Sequence, residues 1–452
     1  MKFEVKGNPN YVATVVSIEN KIELEGCDNI CGTHIFGNHV IVSKDVEIGD
    51  IGIFFPIECS IKAVFLNSNN LYRDKMLNVD QDKSGFFELN GRVRCVKLRG
   101  FKSEGFWIPL NSLSKFGKFD ELVQIKVGTE FDHIDNEKIC EKYVIPVKSQ
   151  TQQSSQSNKK NKKNKKIKKF QKLIDEQFRF HIDTSHMGKN LHKFKLDDII
   201  SITEKVHGTS AIASYILCNK KFSLWDRIGK KFGFNIVDKE YDYIYASRKV
   251  VKNKYICNNP LGFYNEDVWK TGYEELKPFL EKGMTIYYEI VGFLESGKAI
   301  QKMGKYIYDY GCLPNTHKIY VYRITSTNED GKVFEYSMKQ VQDWCKEREI
   351  QAVPLHYYGT VIDFLNMYGN IGKFIDDRDM QETFFEILSN IYLEKDCSIC
   401  KNKVPNEGVC IRREVNDIDV YKLKSFAFRR AETDALDKGE ENIEDSQIEE
   451  KE

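Results

Sequence analysis

No stretch of this 452-residue sequence approaches the ~18 consecutive apolar residues of a membrane-crossing helix. Its first residues, MKFEVKGNPNYVATVV, lack the positively charged start and apolar run of a secretory signal. The expectation is therefore a soluble intracellular protein, cytoplasmic or nuclear, with no membrane partner. An excess of one charge is missing too: 68 Lys+Arg stand against 67 Asp+Glu, a net charge of +1. The average composition thus does not advertise a nucleic-acid binder. The 12 cysteines form no disulfide framework but sit scattered in runs such as VRCVKL and YILCNK. In a reducing compartment they are expected to act as small buried hydrophobes. What is present, 41% hydrophobic and 12% aromatic residues, describes an ordinary globular chain with room for two or three domains.

The neutral average hides two charged segments of opposite sign. Residues 149–172, SQTQQSSQSNKKNKKNKKIKKFQK, are polar apart from Ile167 and Phe170 and carry nine lysines. They form the centre of an expected linker over 136–175, too apolar-poor for a core. Generic phosphate attraction, a nuclear address and a solvated spacer are all open readings of it. The last stretch, 435–452, is acidic and reads as a tail.

Between and around these segments the pattern is α+β. Residues 1–135 hold β-branched and aromatic runs (YVATVVSIEN, HVIVS, IGIFF, RVRCVKLRG, GFWIPL) separated by turn signals such as Gly49-Asp50 and Asn90-Gly91. About five strands in that length suit an OB-like β-barrel, although another small barrel or sandwich meets the same pattern. In residues 176–434, YEELKPFLEK, SMKQVQDWCKERE and MQETFFEILSNIYLEK have helical spacing. DIISITEK, MTIYYEIVGF, KIYVYRIT, GVCIRRE and VYKLKSF read as strands. Hairpin-like neighbours favour an antiparallel sheet over a doubly wound one.

The candidate chemistry centres on Glu204-Lys205-Val206-His207-Gly208-Thr209-Ser210. A β-branched strand delivers Lys205 to a turn, where Gly208 permits close backbone geometry. A lysine attacks an electrophile only when neutral, so desolvation or nearby cations must depress its pKa. In Val420-Tyr421-Lys422-Leu423-Lys424-Ser425 the strand period puts Lys422 and Lys424 on one face, and Tyr421 and Leu423 on the other. Two converging lysines repel; a phosphate would relieve them, and they would depress a third lysine nearby. Glu289 and Glu407 sit beside buried-looking runs and need partners, either a cation or a ribose. Tyr320 and Tyr322 alternate onto one face, where a purine could stack. Each motif alone is weak: edge lysines in water, buried ion pairs and core tyrosines are the commoner explanations.

Taken together and in order, EKVHGTS, YYEIVG, KIYVYRI, EGVCIRR and YKLKS resemble the successive nucleotidyltransferase motifs of the covalent ligase and mRNA-capping superfamily. The form KxHGTS and the stretch Gly297 to Lys302 (GKAIQK) look like the RNA ligase branch that seals nicks. Tyr243-Ile244-Tyr245 leading into Ala246-Ser247-Arg248 resembles a further motif, with Arg248 at its arginine. The N-terminal CDNI and VSKDVEIGDIGIFF are similar to an OB module fused ahead of the ligase domain in one subfamily. The resemblance implies an ATP-dependent RNA ligase with Lys205 as nucleophile, attacking the α-phosphate to form lysyl-AMP. It implies Glu204, Arg248, Glu289 and Tyr322 at the nucleotide, with Tyr322 stacking on adenine. It places Lys422 and Lys424 at the α-phosphate and Glu407 at a catalytic Mg²⁺ or Mn²⁺. The partner would be RNA with 3′-hydroxyl and 5′-phosphate ends, possibly a nicked duplex, and the enzyme a monomer.

Ser210, Arg323 and Arg412 depart from the usual pattern, where Asn, an acid and Lys are common. The histidine in KVHG argues against a DNA ligase or a capping guanylyltransferase. A catalytically silent OB-containing nucleic-acid-binding protein is the alternative from another class. Cys397-Ser398-Ile399-Cys400 has metal-ligand spacing, yet no second pair completes a zinc site, and a hairpin with two incidental thiols explains it as well. One expectation follows from the lysine-rich segment. Deleting residues 150–170 weakens RNA binding at low salt and leaves lysyl-AMP formation intact, as a salt titration of binding beside an adduct gel will read.

Overall fold

The computed structural model describes residues 1–118, 124–145, 172–252, 264, 266–368 and 374–440. Most of the lysine-rich segment and the acidic end beyond residue 440 therefore lie outside the described residues.

The N-terminal unit is built from short strands: β1 (Ala13–Ser17), β2 (Ile30–Ile35), β3 (Asn38–Ser43), β4 (Ile51–Pro56), β5 (Cys59–Ile61), β6 (Val96–Leu98), β7 (Phe101–Ser103), β8 (Gly105–Pro109), β9 (Glu130–Phe131) and β10 (Cys140–Lys142). Strands β9, β1, β4 and β8 form a four-stranded antiparallel sheet, while β2–β3 and β6–β7 are separate hairpins. Phe55, Phe65, Phe131 and Ile53 fill the core on one side of the sheet. Phe54 and Trp107 pack with Val40 and Val42 on the other. The described strands are thus split over several small sheets and do not close into one barrel. Strand β10 pairs with β5 although it lies within the expected linker, so the ordered unit runs past residue 135.

Two antiparallel sheets make up the second unit, with strands β11 (Ile199–Glu204), β12 (Thr209–Asn219), β13 (Lys239–Ser247), β14 (Met284–Gly292), β15 (His317–Thr327), β16 (Val333–Glu335), β17 (Leu355–Thr360), β18 (Gly408–Arg413) and β19 (Asp419–Lys424). One sheet has the order β13-β12-β14-β15-β16; the other runs β19-β18-β11-β17. The two-residue strand Ser185–His186 adds to β19 in parallel. The chain passes from one sheet to the other between β11 and β12, over Lys205 to Gly208. Helices α1 (Val268–Leu276), α2 (Met338–Glu347), α3 (Val361–Tyr368), α4 (Asp377–Tyr392) and α5 (Phe426–Asp437) cover the outer faces. Ser337 starts α2 with a reciprocal capping box to Gln340, and Asp376 caps α4. Among the described residues no helix is long and apolar enough to cross a membrane. The described cysteines are all free and nearly all buried.

Helix α5 joins the two units. Its 3.6-residue period turns Phe428, Ala431 and Ala435 into the core of the first sheet. Arg429, Thr433 and Asp437 share the opposite face and meet the N-terminal unit. Arg429 Nη1 donates to Asn38 Oδ1 (2.7 Å) and to Glu104 Oε1 (3.1 Å). The Cys95 N–H donates to Thr433 Oγ1 (3.3 Å), and Asp437 accepts from Arg92 (2.9 Å), itself forked onto Glu58. Asp437 belongs to the segment read as a tail; its pairing with a fully buried arginine carries the helix that far. Removing one partner of a buried pair strands the other charge. Arg429→Met is accordingly expected to lower stability by roughly 3–5 kcal/mol, measured as a shifted urea midpoint with unchanged slope.

Candidate active site

The segment between the sheets brings the lysine to its partners. Lys205 follows the last residue of β11, and its N–H donates to Gly408 O (2.9 Å). Gly408 has φ +131°, and a Cβ there would lie 2.0 Å from Leu423 O. Only glycine lets β18 begin this close to β19. Gly208 serves differently. A Cβ on it would meet Ile290 O at 2.6 Å and Val291 Cγ1 at 2.9 Å, so its role is close approach to β14.

One cavity of about 440 Å³ lies between the sheets, and Glu204, Lys205, Arg248, Glu289, Tyr322, Glu407, Lys422 and Lys424 all line it. At its centre Glu407, 3% exposed, takes Lys205 Nζ at 2.9 Å and Lys424 Nζ at 3.1 Å on the same oxygen, Oε1. Burial would raise this carboxyl, but the cations of Lys205 and Lys424 outweigh it and hold it at about 2. Its second oxygen, Oε2, is buried without a hydrogen-bond partner, with His207 Nδ1 3.8 Å away. His207 is fixed by its N–H to Tyr310 Oη (2.5 Å) and by edge contacts with the rings of Tyr308 and Phe428. Burial keeps the imidazole low and neutral.

Lys422 and Lys424 point into the cavity from one face of β19, while Tyr421 and Leu423 enter the core behind it. The two lysines differ in charge state. Burial lowers Lys424, but Glu432 (3.5 Å) and Glu407 raise it beyond compensation. Lys422 has no comparable acid: burial, then Lys424, Lys205 and Arg248, push it down to about 7. Arg248, after β13, pairs with Asp183, which also lies 3.8 Å from Lys249. Glu204 Oε2 bonds His356 Nε2 (2.8 Å), leaving Oε1 buried without a hydrogen-bond partner among the described residues.

The tyrosines do not follow the expected shared face. Opposite β14, Tyr287 pairs with Arg323 and Tyr288 with Val321, so Tyr322 is the extra residue of a bulge. The bulge aims Tyr322 into the cavity, where its hydroxyl meets Ser210 Oγ (3.0 Å) and His181 Nδ1 (2.9 Å). Tyr320 instead packs in the core beside Tyr310. Among the departures from pattern, Arg323 is forked onto Glu335 and Arg412 lies beside Glu414 (3.4 Å).

Several cavity residues were not anticipated. His181, Asp183 and His186 come from the segment just after the lysine-rich stretch, and Glu432 from α5. Asn8, Asn10, Tyr11 and Lys142 come from the N-terminal unit. The segment FRFHIDTSH, with three titratable residues in a row of alternating polarity, was the available signal for the first group. Nothing local marks the others. The Cys397–Cys400 pair sits at a small hairpin where Tyr310 N–H donates to Cys400 Sγ (3.4 Å). Among the described residues no group of three or more His, Cys, Asp or Glu is placed to hold a metal.

A profile of the family described as RNA ligase matches residues 198–424, just over half the chain, from the start of β11 to the end of β19. No curated protein matches in sequence. Among solved structures, a variant of Naegleria gruberi RNA ligase with AMP and Mn is 16% identical with a TM-score of 0.53, covering 92% of this chain and 97% of that one. A second variant of that ligase, with ATP and Mn, is 16% identical at 0.54 and covers 92% and 98%. An apo variant is 14% identical at 0.55 and covers 95% and 100%. At such identities the likeness is one of fold.

Lys422 yields a test that separates stability from binding. Its ordinary value is 10.5 and its folded value about 7, so between those pH values the unfolded chain holds a proton that the fold does not. Stability from this site therefore rises as pH climbs from 7 toward 10.5, and the full penalty is present below 7. Lys422→Met is expected to raise the melting temperature by ~2–4 °C at pH 6 and by less at pH 9, read by thermal unfolding without nucleotide.

Proposed function

Since the chain belongs to the RNA ligase family, we propose that it joins RNA ends through a lysyl-AMP intermediate formed on Lys205, using ATP and a divalent metal. The observation that carries this reading is the convergence of Lys205 and Lys424 on the buried carboxylate of Glu407, with Lys422 lining the same cavity. ATP fits a cavity with three lysines, Arg248 and one uncompensated cation site at Lys422. The related Naegleria gruberi ligase has been solved with ATP and Mn.

In the first step neutral Lys205 Nζ attacks the α-phosphorus. A P–N bond forms, the bond to the β-phosphate oxygen breaks, pyrophosphate leaves, and one Nζ proton is released to solvent to give the phosphoramidate. Lys422 and Lys424 sit where charge grows on the phosphates and stabilise it by preorganised attraction. In the resting arrangement Lys205 is held as an ion pair with Glu407 (2.9 Å), so the pairing must loosen before it attacks. Glu407 fits a divalent cation on its own geometry, since Oε2 is buried, anionic and without a hydrogen-bond partner among the described residues. Glu407 would hold a bound Mg²⁺ or Mn²⁺, which would supply neutralisation of phosphate charge. Tyr322 is read as the adenine contact, Glu204 as a further nucleotide contact, and Arg248 and Glu289 as ribose or phosphate contacts. The partnerless Oε1 of Glu204 supports a nucleotide donor there. AMP then passes to a 5′-phosphate, and a 3′-hydroxyl displaces it to form the phosphodiester.

In the same reading residues 1–135, extended through β10, are an OB-like module, 136–175 contain a linker, 176–434 form the adenylyltransferase domain and 435–452 a mostly acidic tail. The protein acts as an intracellular monomer. The test is incubation with α-labelled ATP and metal, comparing wild type with Lys205→Ala, Lys422→Ala and Lys424→Ala on a denaturing gel. Label on wild type alone is the expected result, with loss of at least ~100-fold in each variant. Label from GTP instead would point to a capping-type transferase, and no label on wild type to a silent nucleic-acid-binding protein. A nicked DNA duplex sealed as readily as RNA would overturn the RNA assignment.

A further inference from the structure

Hairpin β6–β7 of the N-terminal unit borders a second cavity that reaches Lys424, and its charge is unbalanced. Its sequence, Val96-Lys97-Leu98-Arg99-Gly100-Phe101-Lys102-Ser103, holds three cations and no acid. The tip turns through Arg99 (φ 49°) and Gly100 (φ 90°), which leaves Lys97, Arg99 and the intervening Leu98 exposed. Several other cations of this unit lie against carboxylates, as Lys21 does with Glu47 (3.1 Å), Lys44 with Glu23 (3.1 Å) and Arg73 with Glu88 (2.7 Å). Lys102 has Glu394 at 3.5 Å. Lys97 and Arg99 make no ion pair among the described residues.

The hairpin is fixed beside the chemistry. Lys102 Nζ lies 5.0 Å and Lys97 Nζ 5.9 Å from the ring of Phe426, two residues beyond Lys424. The main-chain N–H of Phe426 donates to Glu394 (2.7 Å), the same carboxylate that holds Lys102. Between hairpin and catalytic sheet runs a second cavity of about 430 Å³, lined by Gly100, Phe101, Lys102, His39, Lys424 and Phe426. This cavity, which Glu104 and Glu394 also line, runs from Lys424 to Gly100 at the hairpin tip.

We propose that this hairpin grips the phosphate backbone of the RNA whose end lies in the catalytic cavity. Unpaired cations with no neighbouring acid are what a polyanion stabilises, and backbone contacts fix register without reading sequence. The inference rests on the ligase reading above and gives the N-terminal unit a task in RNA engagement, downstream of ATP chemistry. Lys97 and Arg99 touch no residue assigned to lysyl-AMP formation, so the two activities separate.

The experiment uses the full chain carrying Lys97→Ala with Arg99→Ala, beside the charge-keeping Lys97→Arg with Arg99→Lys. Adduct formation from α-labelled ATP is expected to stay within about twofold of wild type in both. RNA affinity and single-turnover sealing of a nicked RNA duplex are expected to fall roughly tenfold in the alanine variant. The slope of log K against log salt should shrink by about 2, the share of two lost phosphate contacts. The charge-keeping variant should retain both. Unchanged affinity and slope in the alanine variant, or equal losses in both variants, would overturn the grip. Absence of an adduct on wild type would instead strike the ligase reading, while the salt slopes would still decide whether the hairpin holds RNA.

Discussion

Glu407 is the charge around which the cavity is organised. A carboxylate taken out of water is tolerable only where cations and hydrogen bonds replace its hydration, and here two lysines from separate strands do so on one oxygen. That requirement ties together β11, which ends before Lys205, β18, which begins after Glu407, and β19, which ends at Lys424. Gly408 lets these strands approach, and Ser425 locks the end of β19 by donating to Asn406 O (2.6 Å) and capping α5. Loss of the carboxylate would leave like charges facing one another across the cavity.

The same electrostatics explain why the site is poorly suited to stability for its own sake. Lys422 carries no acid comparable to those of Lys424 and is pushed toward neutrality by its neighbours. A fold selected only to be stable would place an apolar residue there. The cost makes sense where a polyanionic ligand supplies the missing charge, and the unpartnered oxygens of Glu204 and Glu407 have the same character.

The N-terminal unit is part of this arrangement and no mere appendage. Helix α5 starts at Phe426, directly after Ser425, and its opposite face is bonded to that unit through Arg429, Thr433 and Asp437. His186, beside Lys422 in the pairing of its strand with β19, lies 2.6 Å from Arg429 and is held neutral by burial and by the cations around it. The two units are thus joined next to the lysines of β19 through one helix and a buried arginine.

Sequence order and period alone determined the most local features. Lys422 and Lys424 share a face, with Tyr421 and Leu423 behind them, because a strand alternates whatever it packs against. The mixed α+β character and the lysine-bearing turn after Ile199 to Thr203 were equally legible. Tertiary structure decided what depends on partners distant in the chain. A bulge in β15, set by pairing with β14, separated Tyr322 from Tyr320 despite their spacing of two. Glu432, Asp183 and the N-terminal Asn8 to Tyr11 reach the cavity through packing that no local pattern encodes. The N-terminal strands were marked by β-branched and aromatic runs, yet such runs do not specify how strands pair, so their division into several small sheets emerged only in three dimensions. Period is a property of the backbone, whereas pairing and burial are settled by the free energy of the whole fold.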